Sequence, residues 1–472
     1  MFVATRHFPL FDYHRVPYAV DDRDPAGGPL PGMPYVRAAA DRGGPRLYWL
    51  DTNEPGGPST ASSPGAYAFA GLPIFGPVLP PDLAEAWLAR VPGWRPAPTT
   101  GGVGVWEHDD GSVFLPFDPN RAVHAVLSES YSSMAAGRRS AVLAVLRRAY
   151  YRARPLVPRR QQIAVRRAFT RVQARSAFPR WPMEPALHDF CDGVLRLAAR
   201  VAGQPLATIA PWPRGYSWAL VLTHDVETGT GYRNIDPIRE LEVAQGYRSC
   251  WNFVPRRYEV EDAVVADLRA SGFEVGVHGL YHDGRELESL STWRRRLPEI
   301  HRYAARWGAV GFRSPGTHRV WDYMPLLQVE YDSSYPDTDP YEPMAGGCCS
   351  LLPFTNQGLV ELPITLPQDF TLFTLLERTD ESTWVDKTEF LRERGGMALL
   401  DTHPDYLLDE TARSAYERLL SAFRTDDSAW KALPRDVARW WRRRSDSHLR
   451  QRDGSWVVEG PAGEEGRVRL VV

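Results

Sequence analysis

Cysteine is scarce in this 472-residue chain. The four present are Cys191, Cys250, Cys348 and Cys349, and none has the C-x-x-C spacing of a zinc or redox site. Neither a disulfide framework nor a cysteine metal centre is expected, and the four are read as reduced structural thiols. Long apolar runs are missing as well. No stretch approaches the roughly 20 residues of a spanning helix. The first residues, Met1 to Pro9, show no charged region followed by an apolar one, so the cytoplasm is the expected location. An excess of one charge sign is absent too. Fifty-six Lys and Arg stand against 58 Asp and Glu, a net charge of −2, so no nucleic-acid partner is expected. One stretch breaks this balance. Between Ser130 and Met183 there is no Asp or Glu, while 13 arginines fall between Arg138 and Arg180. This 138–180 segment reads either as a contact for phosphates, an anionic lipid surface or polyanionic sugar, or as arginines that pair with acids of a catalytic domain or face water.

The length implies two or more domains. Residues 1–125 are rich in Pro and Gly, with short strand-like pieces at Arg46–Leu50 and Gly111–Phe117, and read as an irregular, loop-rich N-terminal domain. Residues 126–213 read as an Arg-rich helical connector. Pro155 and Pro158 divide its basic part into two helices, Phe178–Pro182 forms a rigid linker, and a helix follows over 186–202. From 214 to 425, apolar strands alternate with helices. The strands are Trp218–Thr223, Arg248–Val254, Phe273–His278, Ala309–Arg313, Leu359–Ile364 and Met397–His403. The helices lie near 260–270, 291–307, 321–328, 382–394 and 410–423. This alternation predicts an α/β fold with a parallel sheet, closed or nearly closed as a barrel. Residues 426–472 read as a basic helix, Val437–Arg444, with Trp440 and Trp441 docking, and then a terminal hairpin between Ser455–Val458 and Arg467–Val472.

Chemistry-bearing residues cluster at the strand ends. Asp225, Glu227, His278, His282, Arg313 and His403 all lie at or just past the end of an apolar strand, the rim where an α/β barrel carries its chemistry. His278 and His282, four apart across a turn at Gly279, can converge on one divalent ion. Zinc comes first, and other divalent transition metals also suit these ligands. Asp225 and Glu227 alternate along an extended segment and point to one side. One can bind metal with the histidines while the other takes a proton from the attacking water. Arg313 can grip a carboxylate and keep it ionised. Pro315 and Gly316 form a tight turn whose Gly316 N–H could face a developing oxyanion. His403 can give a proton to a leaving group.

In this order the residues resemble the polysaccharide deacetylases with the NodB homology domain, carbohydrate esterase family 4, over about 214–406. The resemblance implies a distorted (β/α)7 barrel that removes acetyl groups from sugars with a divalent metal. It makes Asp225 the base, Glu227, His278 and His282 the metal ligands, Arg313 and Pro315 the third motif, and Leu400 with His403 the motif of the acid. His224 is the alternative metal ligand, and Asp369, Asp332 or the neighbouring Asp401 would orient His403. The expected substrate is an N-acetylated sugar or glycoconjugate. Three rivals accompany this reading. The first is hydrolysis of another non-peptide C–N bond, as in cyclic-amide hydrolases of this barrel. The second is a non-catalytic glycan-binding or scaffold barrel, favoured by a displaced Glu227. The third is a non-haem iron oxygenase, which two His and one carboxylate could serve but strand–helix alternation disfavours.

Overall fold

The computed structural model describes residues 1–22, 28–52, 58, 60–97, 104–134, 159–174 and 177–472. The chain folds into two compact units. One comprises Met1–Ala141, Pro185–Ala210 and Arg443–Val472, and the other Val142–Glu184 and Pro211–Arg442. Segments far apart in sequence thus share one unit. No helix among the described residues is long and apolar enough to cross a membrane.

The first unit is more regular than its composition suggests. Seven short strands form one mixed sheet in the order Tyr18–Val20, Phe2–Ala4, Tyr35–Ala38, Arg46–Trp49, Val113–Leu115, Trp106–His108 and Trp94–Pro96. Strands of three or four residues are too short for alternation to show in sequence. Helix Ala186–Ala202 buries Leu187, Phe190, Val194 and Ala198, and Phe190 packs its ring on Phe69 and Phe117. The expected terminal hairpin does not form. Ser455–Glu459 pairs with His448–Arg452, and Val468–Val471 pairs antiparallel with Leu206–Ile209. An apolar edge segment pairs with whichever free strand edge the fold presents, and here that edge lies far upstream in the chain.

The second unit is built on a nine-stranded sheet. Its strands are β1 (Trp218–Val226), β2 (Cys250–Phe253), β3 (Glu274–His278), β4 (Gly311–Arg313), β5 (Tyr331–Asp332), β6 (Phe354–Asn356), β7 (Leu359–Glu361), β8 (Met397–Thr402) and β9 (Ala429–Lys431). The order is β6-β7-β5-β4-β3-β2-β1-β8, with β9 also beside β1, and every pairing is parallel except β6 with β7. All nine residues of β1 are buried, which is why it reads as a continuous apolar run rather than an alternating one. The sheet curls. Beyond β7, the N–H groups of Thr365 and Leu366 donate to Leu399 O on β8 at 3.1 and 3.0 Å, so the chain after β7 reaches across to the other end of the parallel series.

Helices between the strands bury their apolar faces. They are Ile235–Gln245, Asp262–Ala270, Leu290–Trp307, Ser382–Glu393 and Glu410–Phe423. Ser289 caps the third by accepting from Thr292 N at 3.2 Å, and Asp409 caps the last by accepting from Ala412 N at 3.1 Å. The helix expected over 321–328 is only a 3₁₀ turn, Met324–Leu326. Pro325 withholds an amide donor, and Leu327 turns back to extended backbone. Trp440 and Trp441 are buried, and Trp440 Nε1 donates to Pro211 O at 2.7 Å. The four cysteines are free and buried.

The stretch expected to form the first of two basic helices falls largely on 135–158, outside the described residues. The second is α1, Arg159–Gln173. Its inward arginines bind backbone carbonyls. Arg166 donates to Tyr341 O at 3.1 Å, and Arg167 Nε donates to Thr374 O at 2.8 Å and pairs with Glu377 at 2.6 Å. The anionic-surface reading finds no support in these residues, because Arg167 is taken by protein acceptors and Arg166 lines a pocket rather than an outer face.

Candidate active site

A parallel sheet brings the C-terminal ends of its strands to one rim, and that rim carries a pocket. Asp225, Glu227, His278, His282, Gly316 and His403 line it. Asp225 is the penultimate residue of β1 and Glu227 follows the strand; His278 ends β3, and His403 follows β8. Side-chain ligand atoms of Glu227, His278 and His282 all lie within 4.8 Å of one another. His282 Nε2 is 2.8 Å from Glu227 Oε1. His282 has φ +55°, so the turn after β3 swings its ring back towards His278.

Gly279, where the sequence places the turn, and Glu286, which is not among the expected residues, shape it. Gly279, at φ +61°, has no room for a side chain, since a Cβ would lie 2.5 Å from both Pro315 Cδ and Glu286 Oε2. Glu286 Oε1 accepts the N–H groups of Leu280 and Tyr281, closing the loop that carries His282. Burial pushes the Glu286 carboxyl above its usual range despite those donors. Glu286→Ala is expected to weaken divalent-metal affinity about ten- to hundredfold, the usual effect of losing a residue that orients ligands. Glu286→Gln, which keeps an acceptor, should lose less. A chelator-competition titration checks this, and equal affinity in all three proteins would show that the loop holds its shape without Glu286.

The base candidate, Asp225, lies beside the Glu227, His278 and His282 cluster. Asp225 Oδ1 accepts from Asn252 Nδ2 at 2.9 Å and from Arg313 at 3.2 Å, and its Oδ2 is 3.4 Å from His278 Nδ1. Burial alone would raise the Asp225 carboxyl, but His278, Arg313, His403 and Asn252 outweigh it and hold it below the usual carboxylate range. Asn252 reaches Asp225 because β3 carries Gly276 beside it, where a Cβ would sit 2.0 Å from Asn252 Oδ1. Arg313 is fully buried and shared. It also donates to Thr223 Oγ1 at 2.8 Å, to Asp401 Oδ1 at 2.6 Å, and to Ser333 O and Oγ at 2.8 and 2.9 Å. Burial pushes Asp401 well above its usual range even with Arg313 on it.

His403 lies between two carboxylates: its Nε2 is 3.8 Å from Glu227 Oε1, and Asp369 holds its other side. Its Nδ1 is 2.7 Å from Asp369 Oδ1, and its backbone N–H donates to Asp369 Oδ2 at 2.7 Å. Burial would lower the imidazole pKa, but Asp369 and Asp401 reverse this and raise it well above the ordinary histidine value. Of the residues considered for orienting His403, Asp369 does so. Asp332 instead accepts from Ser334 N and Oγ, and Asp401 is taken by Arg313. His224 is not placed as a ligand. Its Nδ1 meets Thr402 Oγ1 at 2.8 Å, its Nε2 meets Glu242 Oε1 at 2.7 Å, and its ring packs on Trp251. A β-strand turns successive side chains to opposite faces, so His224 points away from the face that Asp225 and Glu227 share.

Asn252, Thr223 and Glu286 are not among the residues expected from sequence, and Arg166 is expected only as part of the Arg-rich 138–180 segment, not of this pocket. A lone Asn inside the apolar strand Cys250–Phe253 is a legible signal; nothing local marks Thr223 or Glu286.

No family model and no curated protein matches the chain. Among solved structures, a protein from Mycobacterium smegmatis assigned as a polysaccharide deacetylase aligns at 19% identity and a TM-score of 0.40, over 49% of this chain and 93% of its own. The chain resembles polysaccharide deacetylases. A family 4 carbohydrate esterase from Streptomyces lividans, in complex with acetate, aligns at 12% identity and a TM-score of 0.31, over 45% of this chain and 91% of its own. An allantoinase aligns at 18% identity and a TM-score of 0.40, over 49% and 92%. At these scores the likeness decides nothing about chemistry, which the side chains of the pocket carry.

Proposed function

We propose that this protein is a metal-dependent hydrolase that removes an acetyl group from the nitrogen of an N-acetylated sugar or glycoconjugate, on a distorted (β/α)7 barrel. The observation that carries this is the convergence of Glu227, His278 and His282, with Asp225 and His403 lining the same pocket. The donor set fits a divalent ion. His278 Nδ1 lies 3.1 Å from Arg313 O, so a proton on Nδ1 bonds that carbonyl and leaves Nε2 with its lone pair. Nε2 is buried with no protein partner among the described residues. Burial also lowers the His278 pKa to about 4, which keeps the ring neutral and able to ligate at physiological pH. Glu227 is not displaced, which speaks against the scaffold reading.

A divalent ion held by Glu227, His278 and His282, zinc first, would supply Lewis acidity and ease deprotonation of a water. Asp225 takes the proton from the attacking water. As the new C–O bond forms, the N–H of Gly316, in the turn at φ +61°, is the donor offered to the carbonyl oxygen. His403 gives its Nε2 proton to the departing nitrogen as the C–N bond breaks, which lets an amine leave instead of an amide anion. Asp369 fixes the ring so that Nε2 faces the pocket. The products are acetate and a free amine.

The experiment is acetate release from a panel of N-acetylglucosaminyl compounds, with cyclic amides included, by protein shown by elemental analysis to bind a divalent metal. Acetate from the sugars is the expected result. Turnover of the cyclic amides alone, or of nothing on the panel by the metal-loaded protein, would overturn the reading.

A further inference from the structure

Helix α1 precedes the strand–helix series, yet it supplies a side chain to the catalytic pocket. Arg166 lines the wall that also holds Glu342, Gln368 and Phe370. Its position is built. Arg167, next on the helix, is seated by Thr374 O and Glu377, and the Arg166 guanidinium lies 4.8 Å from the centre of the Phe370 ring while donating to Tyr341 O at 3.1 Å. An arginine carries five N–H donors in a planar fork. Among the described residues that carbonyl is its single hydrogen-bond acceptor; the buried carboxylates of Glu342 and Asp339 attract it from beyond ion-pair distance. Neutral donors suffice to hold the hydroxyl groups of a neutral sugar. A half-buried guanidinium with an open edge is instead matched by an oxyanion, which it can grip through two parallel hydrogen bonds.

We propose that Arg166 determines specificity by binding a carboxylate or phosphate group carried by the acylated substrate. This rests on the deacetylase reading above. Glu342, on the same wall, works against an anion and limits how strongly one is preferred.

The test is kcat/KM for acetate release from N-acetylglucosamine, its 6-phosphate and N-acetylmuramic acid. Wild type should prefer at least one anionic substrate, and which one it prefers tells phosphate from carboxylate. Arg166→Met should lower the ratio of anionic to neutral kcat/KM about ten- to hundredfold, the loss of one or two charge-assisted hydrogen bonds. Arg166→Lys should retain part of the preference, and Glu342→Gln should raise it. An unchanged ratio in Arg166→Met overturns the assignment. If wild type releases acetate from none of the three, the deacetylase reading fails, and the Arg166 assignment is then judged by calorimetric binding of the same sugars to wild type and Arg166→Met. Weaker binding of the anionic sugars alone supports it, and equal affinities overturn it.

Discussion

Asp225→Asn is expected to lower kcat for acetate release by about 10²–10⁴, the usual contribution of a positioned general base. At about 1.4 kcal/mol per factor of ten, that is roughly 3–5 kcal/mol of transition-state stabilisation. The substitution is nearly isosteric. An Asn oxygen can still accept from Arg313 and Asn252, which now hold Asp225 Oδ1 at 3.2 and 2.9 Å, so the site should keep its shape. Asp225 is not a member of the Glu227–His278–His282 group but falls in a second group with Asp401, which Arg313 occupies, and His403, so metal content should stay at about one ion per chain. Activity within tenfold of wild type would place the base elsewhere. Loss of activity together with loss of metal would make Asp225 a ligand instead.

Asp369→Asn should cost about a hundredfold in kcat and move the alkaline limb of the pH–rate profile to lower pH. The sign follows from the site. His403 must be protonated to act as the acid, and Asp369 at 2.7 Å is the foremost influence raising its pKa against the downward pull of burial. Without that charge the pKa falls, so the working form disappears at a lower pH. The kcat profile across the alkaline range checks this. An unmoved limb with reduced kcat would mean that Asp369 orients the ring but does not set its protonation.

These two residues were unequally visible. Asp225 ends an apolar run, and a carboxylate there stands out because burial of a charge is costly unless a partner meets it. Asp369 sits in Leu366–Phe370 with no periodic pattern around it, and it reaches His403 across 34 residues of sequence. Asp332 looked equally suitable until the fold turned it towards Ser334. Strands of four or more apolar residues were legible, while β5, with two residues, was not: its place is set by backbone pairing with Gly311 and Phe312 on β4. The helix at Ile235–Gln245 also escaped notice, having a weak apolar stripe that buries only Ile235, Ile238 and Glu242.

The sequence by itself determined the strand–helix alternation of 214–425 and the residues that could do chemistry, because hydrophobic periodicity and the cost of burying charge are local properties of a chain. It did so for His224-Asp225-Val226-Glu227 without deciding which of these would face His278 and His282. Only the tertiary structure decided that His224 turns away to Glu242 and Thr402, that Asp369 and not Asp332 holds His403, that Arg313 serves two carboxylates at once, and that Arg166 arrives from a helix outside the series. Such pairings depend on which segments the curled sheet brings within about 3 Å, and hydrogen-bond geometry is satisfied only there.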